Sequence, residues 1–319
     1  MSDGRGDGLR ADPIFIHGIL PRSGTNFLAD LLLLHPDCAP GLDPVREDLF
    51  LDRSESLARY VEELEAAWDP RWGPLTGVRS RLSASLGDGL VAFLRVDRER
   101  RLVTKSPSVR HLDRFFTFFP GASLLVLVRD GRSVTESAMR TFGWSFERAA
   151  HAWVEAADEI DRFRRAFAGS PTPWRLVRYE DLLEDLDATV LDVLRSVGLD
   201  PDAYDFEAAR RLPVRGSSFH HGPDRTEVHW DPVPRSEGFA PAERWRGWNR
   251  ERIDRFEWLA GPQLRAFGYG TGEGRRPVHA SLRHLARDAS WSLRKAGATG
   301  RHAVAGASRP LRRRLGIAR

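Results

Sequence analysis

The segment Pro13 to Pro36, PIFIHGILPRSGTNFLADLLLLHP, constrains this chain more than any other stretch. Ile14, Phe15 and Ile16 make a short apolar run of the kind a buried strand requires. Pro21-Arg22-Ser23-Gly24-Thr25-Asn26 interrupts it, and Phe27, Leu28, Leu31 and Leu32 then recur at helical spacing. A strand, a glycine-bearing loop and a helix in this order form an anion site. Loop N–H groups and the positive end of the helix converge on one point. Arg22 adds a fixed positive charge there, while Ser23, Thr25 and Asn26 add short donors. The loop is not a Walker A sequence, because GxxxxGK[ST] needs a lysine beside the hydroxyl residue.

Downstream, Asp37 to Asp52 reads as a loop rich in proline, glycine and acids. Ser54 opens a helix with Leu57, Tyr60, Val61, Leu64 and Trp68 on one face. Asp69 to Asp88, punctuated by Pro70, Pro74 and glycines, is expected to be a surface excursion near the substrate. Leu102 to Thr104 reads as a second strand delivering Lys105-Ser106-Pro107, and a helix is expected from about Ser108 through Phe118. Ser123 to Val128, SLLVLV, has the unbroken apolar character of a central parallel strand. A helix from Arg129 to Arg140 follows. A long one from Ser145 to about Phe167 has Ala149, Ala152, Trp153, Ala156 and Ile160 inward. Trp174 to Val177 reads as a fourth strand, Leu186 to Val197 as a helix, and Ala242 to Phe267 as helical. Strands alternating with helices predict an α/β fold, a P-loop-like three-layer domain around a mainly parallel sheet. Arg215 to Pro241 lacks periodicity and is expected to be a functional cover.

Bulk properties set the outer limits. With 319 residues, 41% of them hydrophobic, the chain can bury one sizeable core. No apolar run approaches the ~20 residues of a spanning helix, and residues 1–12 are polar and expected to be disordered. The single Cys38 makes no internal disulfide, so a reducing, cytoplasmic compartment is expected. Lys105 and Lys295 are the only lysines among 49 basic residues. Residues 271–319 hold 12 Lys/Arg against Glu273 and Asp288, a net of +10, which leaves −6 for residues 1–270 of the overall +4. The division is therefore a catalytic domain at 13–270 and a basic, partly amphipathic helical tail at 271–319.

The loop PRSGT resembles the 5′-phosphosulfate loop of sulfotransferases that use 3′-phosphoadenosine-5′-phosphosulfate (PAPS), in the form found in tyrosylprotein and many bacterial members. Arg129-Asp130-Gly131-Arg132-Ser133-Val134-Thr135-Glu136-Ser137 resembles the family's 3′-phosphate segment. Arginine grips a phosphate bidentately, and a hydroxyl two helical turns on stays on roughly the same face. Arg178-Tyr179-Glu180-Asp181-Leu182 is similar to its RYEDL segment. Arg244-Trp245-Arg246-Gly247-Trp248 is similar to the basic-Trp segment that closes over the nucleotide, with Arg244 where lysine is usual. The resemblance covers about Pro13 to Tyr269. It implies nucleotide binding by Arg22, Ser23, Gly24, Thr25, Asn26, Arg129, Ser137, Arg178, Tyr179, Ser217, Arg244 and Trp245.

It also implies metal-independent sulfuryl transfer to a hydroxyl acceptor, with Arg22 and Lys105 stabilising charge at the transferring group. The acceptor is a small molecule, a carbohydrate, a lipid or a peptide tyrosine. Phenol and steroid sulfotransferases carry a catalytic histidine in the Lys105 segment, whereas Pro107 occupies its place here. The tyrosylprotein and glycosaminoglycan branches use a carboxylate after the first helix, where this chain offers Asp43, Glu47 and Asp48. Asp43 lies at the tyrosylprotein-like distance from His35-Pro36, and Glu47 has the better local context. His220, His221 and His229 lack metal-ligand spacing, so that segment is expected to contact nucleotide or acceptor. Two other readings compete: an ATP-dependent P-loop kinase, and a non-catalytic protein held by its basic tail to a membrane or nucleic acid. In the tail, Leu282, Leu285, Ala286, Ala289 and Leu293 share a helical face with Arg283, Arg287 and Arg294 displaced from it. That pattern suits docking on the acidic body or on an anionic membrane surface. Nucleic acid is disfavoured, since no recognition motif accompanies the charge.

Overall fold

The computed structural model describes residues 12–69, 71, 76–213, 245–270 and 281–295. Five strands form one sheet: β1 (Ile14–Gly18), β2 (Cys38–Pro40), β3 (Arg101–Ser106), β4 (Ser123–Val128) and β5 (Trp174–Arg178). All pair in parallel, in the order β2-β3-β1-β4-β5. The helices are α1 (Thr25–Leu32), α2 (Ser54–Ala67), α3 (Val78–Leu94), α4 (Phe115–Phe118), α5 (Gly131–Phe142), α6 (Phe146–Ala166), α7 (Asp181–Glu184), α8 (Leu186–Ser196), α9 (Phe206–Arg211), α10 (Arg250–Ala266) and α11 (281–295).

Every residue of β1 and β4 is buried, as expected of parallel strands covered on both faces. Alternation sorts their side chains into two cores. Ile14, Ile16, Leu125 and Leu127 face α1 and α8, meeting Leu28, Leu31, Val190 and Leu194. Phe15, Leu124 and Val126 face the opposite layer, an aromatic core of Phe115, Trp153, Phe163 and Phe256 from α4, α6 and α10. The sheet thus lies between two helical layers, and the chain reverses its strand order on either side of β1. That reversal opens a crevice at the C-terminal ends of β1, β3 and β4, where ligands bind in sheets of this type.

The structure departs from the sequence expectations in several places. The Asp37 to Asp52 stretch contains β2, an edge strand of three residues with too few apolar positions to signal itself. Asp69 to Asp88 is not an excursion throughout, since α3 starts at Val78 despite Gly87 and Gly89. The helix expected over 108–118 is a short 3-10 turn at Leu112–Arg114 followed by the four-residue α4. In α6 the inward stripe is Ala149, Ala150, Trp153, Ala157, Ile160 and Phe163. It is rotated from the one expected, leaving Ala152 and Ala156 half-buried. On α2, Tyr60 is exposed and Val61 carries the contact. The expectations for residues 1–11 and for the 215–241 cover fall outside the described residues.

Gly131 shows how the aromatic core fixes the start of α5. A methyl group there would come within 2.5 Å of Trp153 and 2.7 Å of Phe256. The glycine of the Arg129-Asp130-Gly131 turn is therefore a packing requirement. Gly131→Ala should cost ~1–3 kcal/mol through overpacking, read as a lower urea midpoint with an unchanged slope. An unaltered midpoint would show that α5 can slide outward freely.

Candidate active site

The loop between β1 and α1 is held in an unusual backbone shape. Arg22 has φ 79° and Gly24 φ 103°, both in the left-handed region. Arginine pays a steric penalty there, of a kind that clusters at functional sites. Gly24 is required twice, since a Cβ would also lie 2.4 Å from the Tyr179 ring. The first turn of α1 has no side-chain cap and no acidic residue, so its N–H groups are left to an anion. The Ser23 hydroxyl is buried without a hydrogen-bond partner among the described residues, an orphan donor that suits a bound oxyanion.

The 129–137 segment reaches this loop directly. Arg129 Nη1 donates to the carbonyl of Arg22 at 2.6 Å, and Arg22 Nε donates to Ser137 Oγ at 3.2 Å. The Arg129 guanidinium also lies over the Tyr179 ring, 4.6 Å from its centroid. Residues 22, 24, 129, 137 and 179, far apart in sequence, therefore form one cluster. Its frame is pinned from behind. Trp153 Nε1 donates to the Arg129 carbonyl (3.2 Å), and the Asp130 N–H donates to Glu180 Oε1 (3.0 Å). Glu180 in turn accepts from the Tyr269 hydroxyl at 2.7 Å. Burial raises the Glu180 carboxyl above its ordinary value, against the lowering effect of these hydrogen bonds and of Arg129.

Other predicted residues are distributed more widely. Arg178 sits in a different environment from Tyr179: its guanidinium bonds Asp181 (3.0 Å) and covers the Tyr269 ring at 4.8 Å. Trp245 lies against Arg132, 3.9 Å from guanidinium carbon to ring centroid, and Arg132 is clamped on Asp130. Trp245 thus borders the first turn of α5. Trp248 is buried and donates to Glu136 at 2.7 Å, a packing position. Thr25 is buried and Asn26 half-buried in the first turn of α1. Ser217 and Arg244, with the histidines of the cover, lie outside the described residues.

The third part of the site is at the end of β3. Lys105 Nζ donates to the Arg46 carbonyl at 2.8 Å, which brings the 45–50 segment alongside β3. The Asp48 N–H donates to the Lys105 carbonyl at 3.1 Å. Asp48 itself is buried and accepts from Thr104 Oγ1 (2.9 Å) and from the Phe50 N–H (3.1 Å). Its role is to anchor this segment. Glu47, next to it, is half-buried and electrostatically coupled to Lys105. Burial pushes the Glu47 carboxyl above its usual range, helped by Asp48 and Asp52 and opposed by Lys105. Burial also lowers the Lys105 ammonium, opposed by Glu47, Asp30 and Asp48. Asp43, before a cis peptide to Pro44, is exposed.

Sequence reasoning offered Asp48 only as a candidate base, not as the anchor of its segment, and gave Glu180, Asp130 and Arg132 no role of their own. The Thr104-Lys105 strand end and the Tyr179-Glu180-Asp181 run carried the signal for two of them. A buried carboxylate beside each cationic element was the missing inference.

Comparison with known proteins identifies the family and the fold. The Sulfotransferase family profile matches residues 13–203, which contain β1 to β5 and the whole cluster described above. No curated protein sequence gives a match. The sulfotransferase domain of the Synechococcus PCC 7002 olefin synthase is similar in fold, at 22% identity and TM-score 0.52, over 82% of this chain and 97% of that one. The sulfotransferase domain from the curacin biosynthetic pathway is similar at 19% identity and TM-score 0.50, over 82% and 99%. The chain belongs to the sulfotransferase family.

Proposed function

We propose that this sulfotransferase takes PAPS as donor and moves its sulfuryl group to a hydroxyl acceptor, with Glu47 as general base. One observation carries the donor assignment. The anion loop and the Arg129–Ser137 segment are a single hydrogen-bonded unit, through Arg129 to the Arg22 carbonyl and Arg22 to Ser137. A donor with phosphate-type charge at both ends suits a cradle built from two such joined parts. In this reading Arg22 and the N–H groups of the α1 first turn hold the 5′ end, where PAPS carries its activated sulfuryl group. Arg129 and Ser137 hold the 3′-phosphate, and Trp245 flanks them.

During transfer, the sulfur–oxygen bond to the phosphate breaks as the acceptor oxygen bonds to sulfur. Charge grows on the departing phosphate oxygen, and in this reading Lys105 and Arg22 stabilise it. The acceptor proton passes to the Glu47 carboxylate. Glu47 is preferred over Asp43 because it is half-buried and sits in the field of Lys105, while Asp43 is exposed. A base whose pKa is raised toward the working pH also transfers protons more effectively.

Arg129→Ala should weaken adenosine 3′,5′-bisphosphate binding by about 1.5–3 kcal/mol, the loss of a charge-assisted contact, with a much smaller effect on adenosine 5′-phosphate. Calorimetry on both ligands decides this, and equal losses would remove Arg129 from the 3′-phosphate.

Glu47→Gln should lower kcat by ~10²–10⁴ at unchanged nucleotide affinity, and Asp43→Asn should cost far less. A base acts when deprotonated, so wild-type kcat/KM should rise with pH through an inflection above the ordinary glutamate value. That acid limb should disappear in Glu47→Gln. Near-normal turnover in the Gln variant would move the base elsewhere.

A further inference from the structure

The C-terminal helix α11 is attached to the body by the wrong side for a simple core element. His284, Asp288, Trp291 and Lys295 make its contacts. Asp288 pairs with the buried Arg255 at 2.7 Å and accepts from Trp258 Nε1 at 2.9 Å. The Arg255 Nη1 bonds the His284 carbonyl, His151 stacks on Trp291 with centroids 4.7 Å apart, and Lys295 pairs with Glu155. On a 3.6-residue repeat, the apolar stripe Leu282, Leu285, Ala286, Ala289 and Leu293 lies roughly 150° around the helix from that contact face. All five are exposed, and the leucines are 61%, 54% and 75% accessible. Arg283, Arg287 and Arg294 occupy the flank between stripe and body, and Arg287 is already paired with Glu251.

We propose that α11 is a surface anchor that lays its leucine stripe on an anionic lipid membrane. Charge decides among occupants. Arg283 and Arg294 border the stripe, and residues 296–319 add six arginines and no acid. A second copy of this chain meeting the same stripe would bring two such basic segments together, which is unfavourable. The acidic body of the same molecule is already engaged by the opposite face. An apolar strip rimmed by arginine, on a helix fixed to a folded domain, matches the interface of an anionic leaflet, where lipid tails take the leucines and headgroups the guanidinium groups. No helix among the described residues is long and apolar enough to cross a membrane.

The test is co-sedimentation of the full chain with vesicles of phosphatidylcholine alone or mixed with phosphatidylglycerol. Binding is expected only with phosphatidylglycerol present, and added salt should weaken it. A Leu282→Ser, Leu285→Ser, Leu293→Ser triple variant should lose at least ~10-fold in vesicle affinity. It should keep its thermal midpoint, because these leucines are exposed and pack against nothing among the described residues. Three results would overturn the proposal: wild-type protein that ignores phosphatidylglycerol vesicles, a triple variant that binds as well as wild type, or a wild-type dimer in sedimentation velocity that the triple variant dissociates.

Discussion

The hydrogen bond from Arg129 to the carbonyl of Arg22 is the constraint on which the site depends. A peptide unit is planar, so fixing a carbonyl oxygen also fixes the direction of the N–H that follows it. With the Arg22 carbonyl held toward Arg129, the Ser23 N–H is turned the other way, where it donates to the Leu20 carbonyl at 3.2 Å, and Arg22 itself sits in the left-handed region. Arg129 can do this because its own main chain is held by Trp153 and, one residue on, by Glu180. The aromatic core and the anion loop are therefore mechanically continuous. A change in packing around Trp153 reaches the loop through two hydrogen bonds from side chain to backbone carbonyl, Trp153 to Arg129 and Arg129 to Arg22. An arginine is suited to this post, since it offers several donors in fixed directions and remains charged.

A second tension lies between Glu47 and Lys105. Burial works against charge on both, raising the carboxyl and lowering the ammonium, and each partly offsets the other's penalty. A pair poised in this way responds to what binds beside it. An anionic donor near Lys105 favours its protonated form and draws its field away from Glu47, which leaves the carboxylate a stronger base. The segment that presents Glu47 is not a loose loop. Asp48 ties it to Thr104 and to the β3 backbone, so Glu47 is placed by a buried carboxylate one residue away.

Much of this was legible in the sequence because it is periodic or local. SLLVLV reads as a strand buried on both faces, and the arginine-glycine loop after Ile14–Ile16 reads as a strand-to-helix turn whose donors suit an anion; the structure has the strand and an uncapped helix start. What stayed hidden is set by tertiary contact. Three-residue β2 has no pattern of its own and exists because the β3 edge accepts it. Glycine-bearing α3 reads as a loop, yet Gly87 is needed because Phe118 O would lie 1.8 Å from a Cβ there. The apolar stripe of α11 was visible as a helical face, but nothing local says that His284, Asp288 and Trp291 make the contact instead. Arg178 and Tyr179 look like one motif in the chain. The structure gives Tyr179 to the loop and Arg178 to Asp181 and Tyr269.

The arginine bias of the chain makes Lys105 informative in a way composition alone does not. With 49 basic residues and two lysines, arginine fills nearly every post that needs only a positive charge, and the body uses it so: Arg132 on Asp130, Arg255 between Glu147 and Asp288. The other lysine, Lys295, makes an exposed ion pair with Glu155 that arginine would serve equally well. At the end of β3 the demand is different. The group donates to the Arg46 carbonyl, tolerates burial and lies in the field of Glu47. A guanidinium is planar and wide, and it does not give up its proton in this range. An ammonium on a flexible stem is small, rotates its three donors freely and has a pKa that burial can lower. The buried, hydrogen-bonded environment at the end of β3 suits a lysine at position 105 better than an arginine.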